Sequence, residues 1–541
     1  MDLMSYQRAS RIPASVRERW HRAGFHTQQT IGGLLEDSAA RWPQRVAAIT
    51  ETGEVTFTDL ARQSRHIATT LIEAGVQPGE AVSWLLPTGP EAIATAAAIW
   101  RIGAISSPLV PIYGSREITT ALSQVRPTAI ITSTASARRD YPDEFDEICR
   151  AVELVPRIRL LTSGAHPGWV SSSDVRVGSL PDRVQPATAE HPALVLFTSG
   201  TESEPKGVIH SVAGLSHELR STVSGWGLTF RDRMVMASPM THITGLLQGF
   251  MIPAHIGAAA ILLERWDAEV CVEMIERHGA TYMAGATPFL RELHRSYLDS
   301  GRGSSSLRQY CCGGASVPPD LIRDVNALGI AAYRAWGMTE LPTATLPNEF
   351  DPLDARADTD GPLAPGVELL VVDDAGAPVG PGEGGELLIR GPEMMRGYVR
   401  ADLDDRAFTR EGWLRTGDLG ALDADGRVRI TGRTKDIINR GGEKLSAREI
   451  EEAIARHPDI SAVAVLAVPG GRLGERVGAV VVSHRRDLTV SEVGAVVTEA
   501  GLARQKQPEM ITVVDALPTN ATGKIDRRTL RALFSDGDST D

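Results

Sequence analysis

Strand and helix signals alternate along most of the chain, and this alternation limits the possible folds more than any other feature. A β-branched run at 46–50 is followed by a hairpin-turn sequence at 51–54, and apolar residues then recur at helical spacing from 58 to Gly75. Further strands are predicted at 81–86, 104–110 and 128–132, with helices at 91–102 and 117–124 between them. Because parallel strands need helical crossovers, we expect an α/β fold with a mainly parallel, doubly wound sheet.

The rest of the chain predicts three more units. A second alternating run extends from 193 to about 333 and predicts a second doubly wound subdomain. Short strands between Gly and Asp turns at 368–430 indicate a small antiparallel, β-barrel-like subdomain. After Lys435, two capping-box sequences, at Ser446 and Thr489, and three strands predict a small α+β domain. We therefore expect an N-terminal domain at 1–434 and a C-terminal domain at 435–541.

Charge and hydropathy exclude several classes of protein. The formal net charge is −12 and no basic arm is present, which disfavours nucleic acid and anionic membranes as main partners. The most apolar long stretch, 245–263, is interrupted by Gln248, Pro253 and His255, so it predicts a buried helix followed by a strand and not a membrane span. The first residues lack the apolar core of a signal peptide, and we expect a cytoplasmic protein.

The four cysteines show no spacing typical of metal ligands. The adjacent pair, Cys311 and Cys312, predicts two packed thiols in a strand and not a vicinal disulfide bridge. Reduced thiols fit the cytoplasmic location expected above.

A loop rich in hydroxyls and glycines follows the apolar strand 194–197. Its sequence is Thr198-Ser-Gly-Thr-Glu-Ser-Glu-Pro-Lys-Gly207. Glycines let backbone N–H groups approach a polyphosphate, hydroxyls donate to it, and a lysine adds a point charge. The predicted phosphate-binding residues are Thr198, Ser199, Gly200, Thr201 and Lys206. A P-loop kinase or ATPase is excluded, because Pro205 stands where that signature requires its second glycine.

This loop resembles the Thr-Ser-Gly-Thr-Thr-Gly-x-Pro-Lys-Gly signature of the adenylate-forming superfamily, which includes acyl-CoA synthetases, firefly luciferase and peptide-synthetase adenylation domains. Glu202 and Ser203 depart from the signature, since they replace its usual Thr-Gly. Further segments match the family in its order over about residues 30–530. They are Gly313-Gly-Ala315, Ala335-Trp-Gly-Met-Thr-Glu340, Gly412-Trp-Leu-Arg-Thr-Gly-Asp-Leu-Gly420, Gly432-Arg-Thr-Lys-Asp436, Asn439-Arg-Gly-Gly-Glu-Lys444 and Leu517-Pro-Thr-Asn-Ala-Thr-Gly-Lys524.

The resemblance implies a site for ATP and Mg²⁺. Adenine would lie between a backbone segment and an aromatic residue. The predicted residues of this adenine wall are Gly313, Gly314, Ala315, Trp336 and Gly337. Thr339 would hold the α-phosphate and Glu340 the Mg²⁺. An aromatic face suits a flat base, and a carboxylate oxygen suits a phosphate-bound Mg²⁺.

The resemblance also assigns residues to the ribose and to a second half-reaction. Asp418 would accept from both ribose hydroxyls, and Arg433 would reach the ribose or a phosphate. Lys435 would be the hinge of a mobile C-terminal domain, and Lys524 would bridge the substrate carboxylate and the α-phosphate. Gly441 and Gly442 would line the tunnel for CoA, because glycines let the backbone come close to the thin pantetheine arm.

The expected activity is that of an acid–CoA ligase that makes acyl-AMP and then a thioester. Amino-acid-activating relatives use an Asp near 239–245, where this chain has His242 and no acid, so His242 is predicted to border the substrate carboxylate. The overall resemblance to fatty-acyl and cyclohexanecarboxylate-type CoA ligases, with small residues at 284–288 and at Cys312, predicts a bulky alicyclic, polycyclic or medium-to-long aliphatic acid.

Three alternatives remain open. The first is an acyl-AMP ligase that loads a carrier protein, and the second is an adenylating enzyme that needs a partner for transfer. The third is a non-catalytic acyl-nucleotide binding protein, which the set Lys206, Glu340, Asp418 and Lys524 disfavours.

Overall fold

The computed structural model describes residues 10–134, 139–172, 189–198, 204–301, 303–314, 316–440, 443–470, 474–519 and 525–535. Its strands are β1 (Val46–Thr50), β2 (Gly53–Thr56), β3 (Ala81–Trp84), β4 (Ile105–Pro108), β5 (Ala129–Thr132), β6 (Ile158–Leu161), β7 (Val170–Ser171), β8 (Pro192–Phe197), β9 (Gly207–Ser211), β10 (Arg233–Met236), β11 (Ala259–Leu262), β12 (Tyr282–Gly285), β13 (Gln309–Gly313), β14 (Ala331–Ala335), β15 (Glu368–Val372), β16 (Gly385–Arg390), β17 (Gly397–Tyr398), β18 (Leu414–Leu422), β19 (Val428–Arg433), β20 (Ile437–Arg440), β21 (Glu443–Ser446), β22 (Ala462–Pro469), β23 (Glu475–Val482) and β24 (Met510–Val514).

The α-helices lie mainly between these strands. They are α1 (Ala14–Arg22), α2 (Leu34–Arg41), α3 (Phe57–Glu73), α4 (Pro90–Arg101), α5 (Ser115–Val125), α6 (Tyr141–Ala151), α7 (Val212–Gly225), α8 (Ile243–Leu246), α9 (Ile252–Ile256), α10 (Ala268–His278), α11 (Thr287–Ser300), α12 (Pro319–Ala327), α13 (Leu353–Asp358), α14 (Asp404–Ala407), α15 (Ala447–Ile454), α16 (Val490–Glu499) and α17 (Arg527–Ser535).

Two large sheets form the body of the protein, as the alternating pattern predicts. One has seven strands in the order β14-β13-β12-β10-β11-β1-β2, parallel except for the antiparallel hairpin of β1 and β2. The other has eight strands in the order β17-β9-β8-β4-β3-β5-β6-β7, with antiparallel pairing only at β8–β9 and β9–β17. The mainly parallel, doubly wound architecture is thus confirmed, but the two alternating runs do not each form one sheet as predicted. Strands β1 and β2 join the seven-stranded sheet of the second run, and β8 and β9 join the eight-stranded sheet of the first, because strand pairing is decided by tertiary packing and not by chain order.

Local sequence explains where the first long helix begins and ends. The Thr56 side chain caps α3 by accepting a hydrogen bond from the backbone N–H of Asp59 at 3.2 Å. At the other end, Gly75 has a positive φ of 82° and its N–H donates to Ile72 O at 2.8 Å. A residue without a Cβ adopts this conformation easily, so the helix ends where the sequence predicts.

The apolar stretch at 245–263 is a buried helical segment followed by strand β11, as predicted. The helical segment contains a π-helical turn, Leu247–Met251, between α8 and α9. A Cβ at Gly245 would lie 2.0 Å from Pro239 O, so only glycine allows the chain to pass there. Among the helices of the described residues, none is both long enough and apolar enough to cross a membrane.

The antiparallel unit predicted at 368–430 is a four-stranded sheet in the order β15-β16-β18-β19. The predicted thiol state also agrees with the structure, because Cys311 and Cys312 are buried, unbridged and adjacent in β13.

The C-terminal unit packs a three-stranded sheet, β22-β23-β24, against helices α15 and α16. Thr489 and Glu492 form the complete capping box that their spacing predicts. At α15 only half of the predicted box forms: Ser446 Oγ accepts from Glu449 N, while the Glu449 carboxylate pairs with Lys506 Nζ at 2.5 Å. A tertiary ion pair therefore replaces the local contact.

The unit is joined to the N-terminal body by a short 3-10 turn, Thr434–Asp436, between β19 and β20. Lys435 is exposed in this turn. The division into domains at 434 and 435 stays a proposal.

Candidate active site

A cavity of about 160 Å³ opens at the carboxyl ends of parallel strands in the seven-stranded sheet. The last residues of three neighbouring strands line it, namely Gly285 of β12, Gly313 of β13 and Ala335 of β14. Ligands of open α/β sheets bind at this edge, because the loops that follow the strands converge there. This central cavity is therefore the candidate active site.

The cavity brings together six residues that the sequence placed in three separate segments. They are His242, Gly313, Gly314, Trp336, Gly337 and Thr339. Two of the glycines lie where a side chain would collide with backbone: a Cβ at Gly313 would be 2.8 Å from Ala335 O, and one at Gly337 would be 1.9 Å from Pro342 O. The predicted nucleotide wall and the predicted carboxylate residue thus face one space, although their contacts with ATP and acid stay predictions.

Asp418 and Arg433 adjoin this wall. Trp336 Nε1 donates to Asp418 Oδ2 at 2.8 Å, and Arg433 Nε donates to Asp418 Oδ1 at 2.8 Å. Asp418 is only 3% exposed, so these two bonds compensate much of the cost of burying its charge. The sequence predicted that Arg433 reaches a ribose or phosphate, whereas in the structure it is held by Asp418. Each carboxylate oxygen keeps a lone pair for a ribose hydroxyl.

Glu340 is held at the site by a residue that sequence reasoning missed. Tyr398 Oη donates to Glu340 Oε1 at 2.7 Å, and burial together with this carboxylate raises the pKa of Tyr398 well above its usual value. Lys206 Nζ lies over the same ring, 5.6 Å from its centroid. Tyr398 therefore sits between the predicted Mg²⁺ ligand and the predicted phosphate-loop lysine. Only the pairing of β17 with β9 brings it there, so no local signal marks it.

His210 is a second residue that the sequence did not single out. It is fully buried, and desolvation lowers its pKa to about 4, so the ring is neutral at physiological pH. Its Nε2 lies 2.7 Å from Thr339 O, and because a carbonyl only accepts, this nitrogen carries the proton and donates. His210 thereby fixes the backbone of the predicted α-phosphate residue. Its place in β9, just after the phosphate loop, is the only sequence cue to this role.

The small residues predicted to form a roomy pocket wall do line the cavity, with one exception. Ala284, Gly285 and Ala286 line the cavity together with Cys311. Cys312 does not line it, which corrects the sequence interpretation: its Sγ lies 3.8 Å from Thr287 Oγ1 in the core on the other face of the sheet. Adjacent residues of a strand point to opposite faces, so one of the two cysteines had to turn away.

Part of the predicted set lies outside the described residues: Ser199, Gly200, Thr201, Ala315, Gly441, Gly442 and Lys524. Residues that flank these segments are paired. Thr198 N donates to Lys206 O at 3.0 Å, and Thr519 pairs with Ile525 in an antiparallel bridge. Lys435 is not among the residues that line the cavity.

Comparison with known families gives two matches. A family model described as AMP-binding enzyme matches residues 35–399, and one described as AMP-binding enzyme C-terminal domain matches residues 449–524. Together the two models cover most of both units of the chain.

Individual relatives are similar over almost the whole length. The medium-chain fatty-acid–CoA ligase of Escherichia coli (strain K12) is 32% identical, over 95% of this chain and 92% of that protein. The salicyl-AMP ligase / salicyl-S-ArCP synthetase of Mycobacterium tuberculosis is 30% identical, over 96% of this chain and 93% of that protein. Among solved structures, ATP-bound MatB from Rhodopseudomonas palustris has a TM-score of 0.82 at 26% identity, covering 94% of this chain and 99% of that one.

Proposed function

Because the chain belongs to the AMP-binding enzyme family, whose members adenylate acids, we propose that it is an acid–CoA ligase that converts a carboxylic acid, ATP and CoA into an acyl-CoA, AMP and pyrophosphate. The observation that carries this proposal is the shared cavity. Thr339 and Trp336, predicted for the nucleotide, line the same space as His242, predicted for the carboxylate. A site that holds both reactants side by side supplies the proximity that adenylation needs.

In the first half-reaction, a carboxylate oxygen attacks the α-phosphorus of ATP. The new O–P bond gives acyl-AMP, and the bond to the β-phosphate breaks to release pyrophosphate. Lys206 and Lys524 offset negative charge on the phosphoryl oxygens, while the Thr339 hydroxyl donates to the α-phosphate. Asp418 receives the ribose hydroxyls, and Trp336 provides one wall for adenine.

The residues at the predicted metal site fit Mg²⁺. Glu340 is a carboxylate with one oxygen held by Tyr398, which leaves its other oxygen for a cation. Mg²⁺ at Glu340 would neutralise charge on the ATP phosphates. Tyr398 thus contacts both the Glu340 carboxylate, through its hydroxyl, and Lys206, through its ring.

In the second half-reaction, the thiolate of CoA attacks the acyl carbon and forms a C–S bond. The C–O bond of the mixed anhydride breaks, and AMP leaves with its electron pair as a phosphate anion. We assign the change between the two steps to rotation of the C-terminal domain about Lys435. This rotation withdraws Lys524 and brings Gly441 and Gly442 to the CoA tunnel. The 3-10 turn Thr434–Asp436 lies between β19 and β20 with Lys435 exposed, and this position supports a hinge at Lys435.

The proposed substrate is a bulky alicyclic or polycyclic acid or a medium-to-long aliphatic acid. The small side chains of Ala284, Gly285 and Ala286 support it, since they leave room along one wall. The 32% identity to a medium-chain fatty-acid–CoA ligase points the same way. One other acceptor has support: the relative named salicyl-S-ArCP synthetase makes a carrier-protein thioester a second candidate product.

A panel of acids tests the proposal. ATP–pyrophosphate exchange reports adenylation, and thioester formation is followed with either free CoA or a phosphopantetheinylated carrier protein. We expect exchange with at least one acid of the proposed class and a thioester with CoA. Thioester only with the carrier, or acyl-AMP accumulating in the presence of CoA, would replace the CoA ligase by the carrier-loading or the partner-dependent alternative. Absence of exchange with every acid would refute adenylation.

A further inference from the structure

The end of helix α1 brings two histidines beside a glutamate from a distant segment. His21 lies in the last turn of α1, His26 follows the turn after it, and Glu190 lies two residues before strand β8. One ligand atom from each of these three side chains lies within 4.8 Å of the other two. None of the three residues lines the central cavity, so the cluster is a candidate site of its own.

The chain reverses sharply between the two histidines, and this turn fixes their separation. Gly24 adopts a positive φ of 78°, and its N–H donates to His21 O at 3.1 Å. Phe25 N and His26 N both donate to Trp20 O, at 3.0 and 3.4 Å. The His26 ring packs edge-on against Trp20 and against His21, with centroid separations of 5.4 and 5.3 Å. Local backbone bonds thus hold two imidazoles side by side.

The hydrogen bond of His26 determines which of its ring nitrogens can bind a cation. Nε2 lies 2.7 Å from Pro392 O, and because a carbonyl only accepts, this nitrogen carries the proton. In the neutral ring, Nδ1 then carries a lone pair. Nδ1 lies 3.7 Å from Glu190 Oε1, which is also an acceptor, and this distance is too long for a hydrogen bond. Two acceptors therefore face each other.

The same two atoms lack a hydrogen-bond partner in the described part of the chain. His26 is 6% exposed, so bulk water does not compensate its Nδ1. Arg17 Nη1 lies 3.6 Å from the other carboxylate oxygen, Glu190 Oε2, and this contact leaves Oε1 for another group. The position therefore needs a group that both acceptors can bind.

His217 shows a different arrangement of a buried histidine beside a carboxyl. Its Nε2 lies 3.1 Å from Pro365 O and therefore carries the proton, and this same nitrogen lies 3.7 Å from Glu393 Oε2. The N–H edge of that ring thus faces the carboxyl. At His26 the opposite edge, the one without the proton, faces Glu190. A cation between the two acceptors removes this conflict, whereas the pair at His217 needs none.

We propose that His26 Nδ1, Glu190 Oε1 and a ring nitrogen of His21 bind a Zn²⁺ ion, with water as the fourth ligand. Two histidines and one glutamate are a known zinc ligand set for sites that keep one position open. In a tetrahedral site with bonds of about 2.0–2.1 Å, neighbouring ligand atoms lie roughly 3.3–3.4 Å apart. The 3.7 Å between His26 and Glu190 is close to this separation. The bond of His26 to the Pro392 carbonyl is the outer contact that metal-bound histidines usually make.

The third ligand closes the site from the surface. His21 is exposed, so its ring can rotate toward the other two ligands, while His26 is fixed in the core. The same exposed edge gives the ion a path from solvent. Bound Zn²⁺ joins the end of α1 to the chain that enters β8, the strand that leads to the phosphate loop. The site is therefore structural, and it stabilises the folded protein.

Zinc binding to the chelator-treated protein tests the inference. Calorimetric titration with ZnCl₂, in excess Mg²⁺ to saturate the proposed site at Glu340, should show one tight site. Zn²⁺ should raise the melting temperature, because an ion that binds the folded chain stabilises it. His21→Ala and Glu190→Gln should each weaken Zn²⁺ binding by at least about 10-fold and remove most of this rise.

His166 provides the matched control. It forms the other group of candidate metal ligands among the described residues, with the exposed Asp140 and Asp143. Both of its ring nitrogens already have partners, because Nδ1 lies 3.1 Å from Pro167 O and Nε2 lies 3.1 Å from Asp143 Oδ1. His166→Ala should therefore leave zinc binding unchanged. Without metal, His21→Ala should keep the melting temperature of the wild type, since its side chain is at the surface.

Two results would overturn the inference, and neither depends on the proposed ligase activity. Zinc that does not bind the wild type, or binds it no more tightly than His21→Ala and Glu190→Gln, would show that His26 and Glu190 form only a distant ion pair. Zinc binding that is lost in His166→Ala and kept in His21→Ala would assign the ion to a different site.

Discussion

The Asp418 carboxylate connects parts of the site that are far apart in the sequence. The Trp336 indole, 82 residues away, bonds one of its oxygens and Arg433 bonds the other. The indole N–H thus fixes Asp418, the predicted ribose-binding acid, against the predicted adenine wall.

Replacing the indole tests that bond. Trp336→Phe keeps an aromatic face but leaves Asp418 Oδ2 without its donor, so we expect the free energy of unfolding to fall by about 1–2 kcal/mol. The KM for ATP should rise, since the carboxylate is no longer held in place. Urea denaturation and exchange kinetics measure the two effects. A double-mutant cycle with Asp418→Asn should show coupling, and additive effects would contradict the assigned contact.

Replacing Lys524 tests the proposed role of a single charge in adenylation. Lys524→Ala should slow adenylation by about 10²–10³-fold, the scale for losing one charge-stabilising donor. Thioester formation from preformed acyl-AMP should be spared, because the lysine has then moved away. Lys506→Ala is the control, since Lys506 pairs with Glu449 at 2.5 Å and should leave both steps intact. Equal losses in both half-reactions would exclude the role given to Lys524.

At the scale of elements, helix α7 packs a carboxyl against the loop that forms part of the cavity. Glu218 is 1% exposed and accepts a hydrogen bond from the Thr343 hydroxyl, and Thr343 lines the cavity. Burial raises the pKa of Glu218 to about 7, and burial and the neighbouring Glu218 raise the pKa of Glu393 well above its usual value. His217 Nε2 lies 3.7 Å from Glu393 Oε2. The helix and the loop thus meet beside two carboxyls whose pKa values are raised by burial.

This contact predicts a pH dependence of stability. Because the folded protein binds the Glu218 proton more tightly than the unfolded chain, its contribution is complete below about pH 4.5 and is lost as the pH rises through about 7. Glu218→Gln should abolish this pH-dependent contribution. As the pH rises from 5 to 8, the free energy of unfolding of the variant should therefore increase by about 1–3 kcal/mol relative to that of the wild type. Urea unfolding at several pH values measures the difference. A difference that is constant with pH would show that Glu218 titrates normally.

At the scale of the whole molecule, the C-terminal unit contacts the body through few described polar bonds near the proposed hinge. Ser446 Oγ donates to Thr431 O at 2.7 Å, and Lys444 Nζ pairs with Asp374 Oδ2 at 2.7 Å on the surface. An exposed ion pair contributes little, typically below about 1 kcal/mol. The Lys444–Asp374 pair can therefore be exchanged for another contact at small cost, as the proposed rotation requires.

A proline at the hinge tests the rotation. Lys435→Pro restricts φ and removes a backbone donor, so it should block thioester release while ATP–pyrophosphate exchange continues largely unchanged. Lys435→Ala is the matched control, because it removes the ammonium and leaves the backbone free to turn. Separate assays of the two half-reactions give the result. Normal thioester turnover in the proline variant would eliminate Lys435 as the hinge.

Features that depend on neighbours in the chain were predictable from the sequence. Helix α3 begins at a capped Thr56 and stops at Gly75, and the Thr489–Glu492 box caps α16, because each involves groups within a few residues. The order of strands and helices also predicted the doubly wound sheets, since chain connectivity and handedness leave few alternatives. The motif residues of the cavity were identified for the same reason, each within a short segment of characteristic composition.

Only the tertiary structure decided how these segments meet. The π-turn at Gln248, the face of β13 on which Cys311 lies, and the approach of Tyr398 to Glu340 all depend on strands and loops distant in sequence. Such contacts form only when long loops close and strands pair at the edge of a sheet. Competing arrangements of the chain differ in free energy through side-chain packing, which no local sequence pattern encodes. The sequence by itself therefore determined the family, the fold class and the candidate residues. The folded chain alone decided which residues of these segments line one cavity.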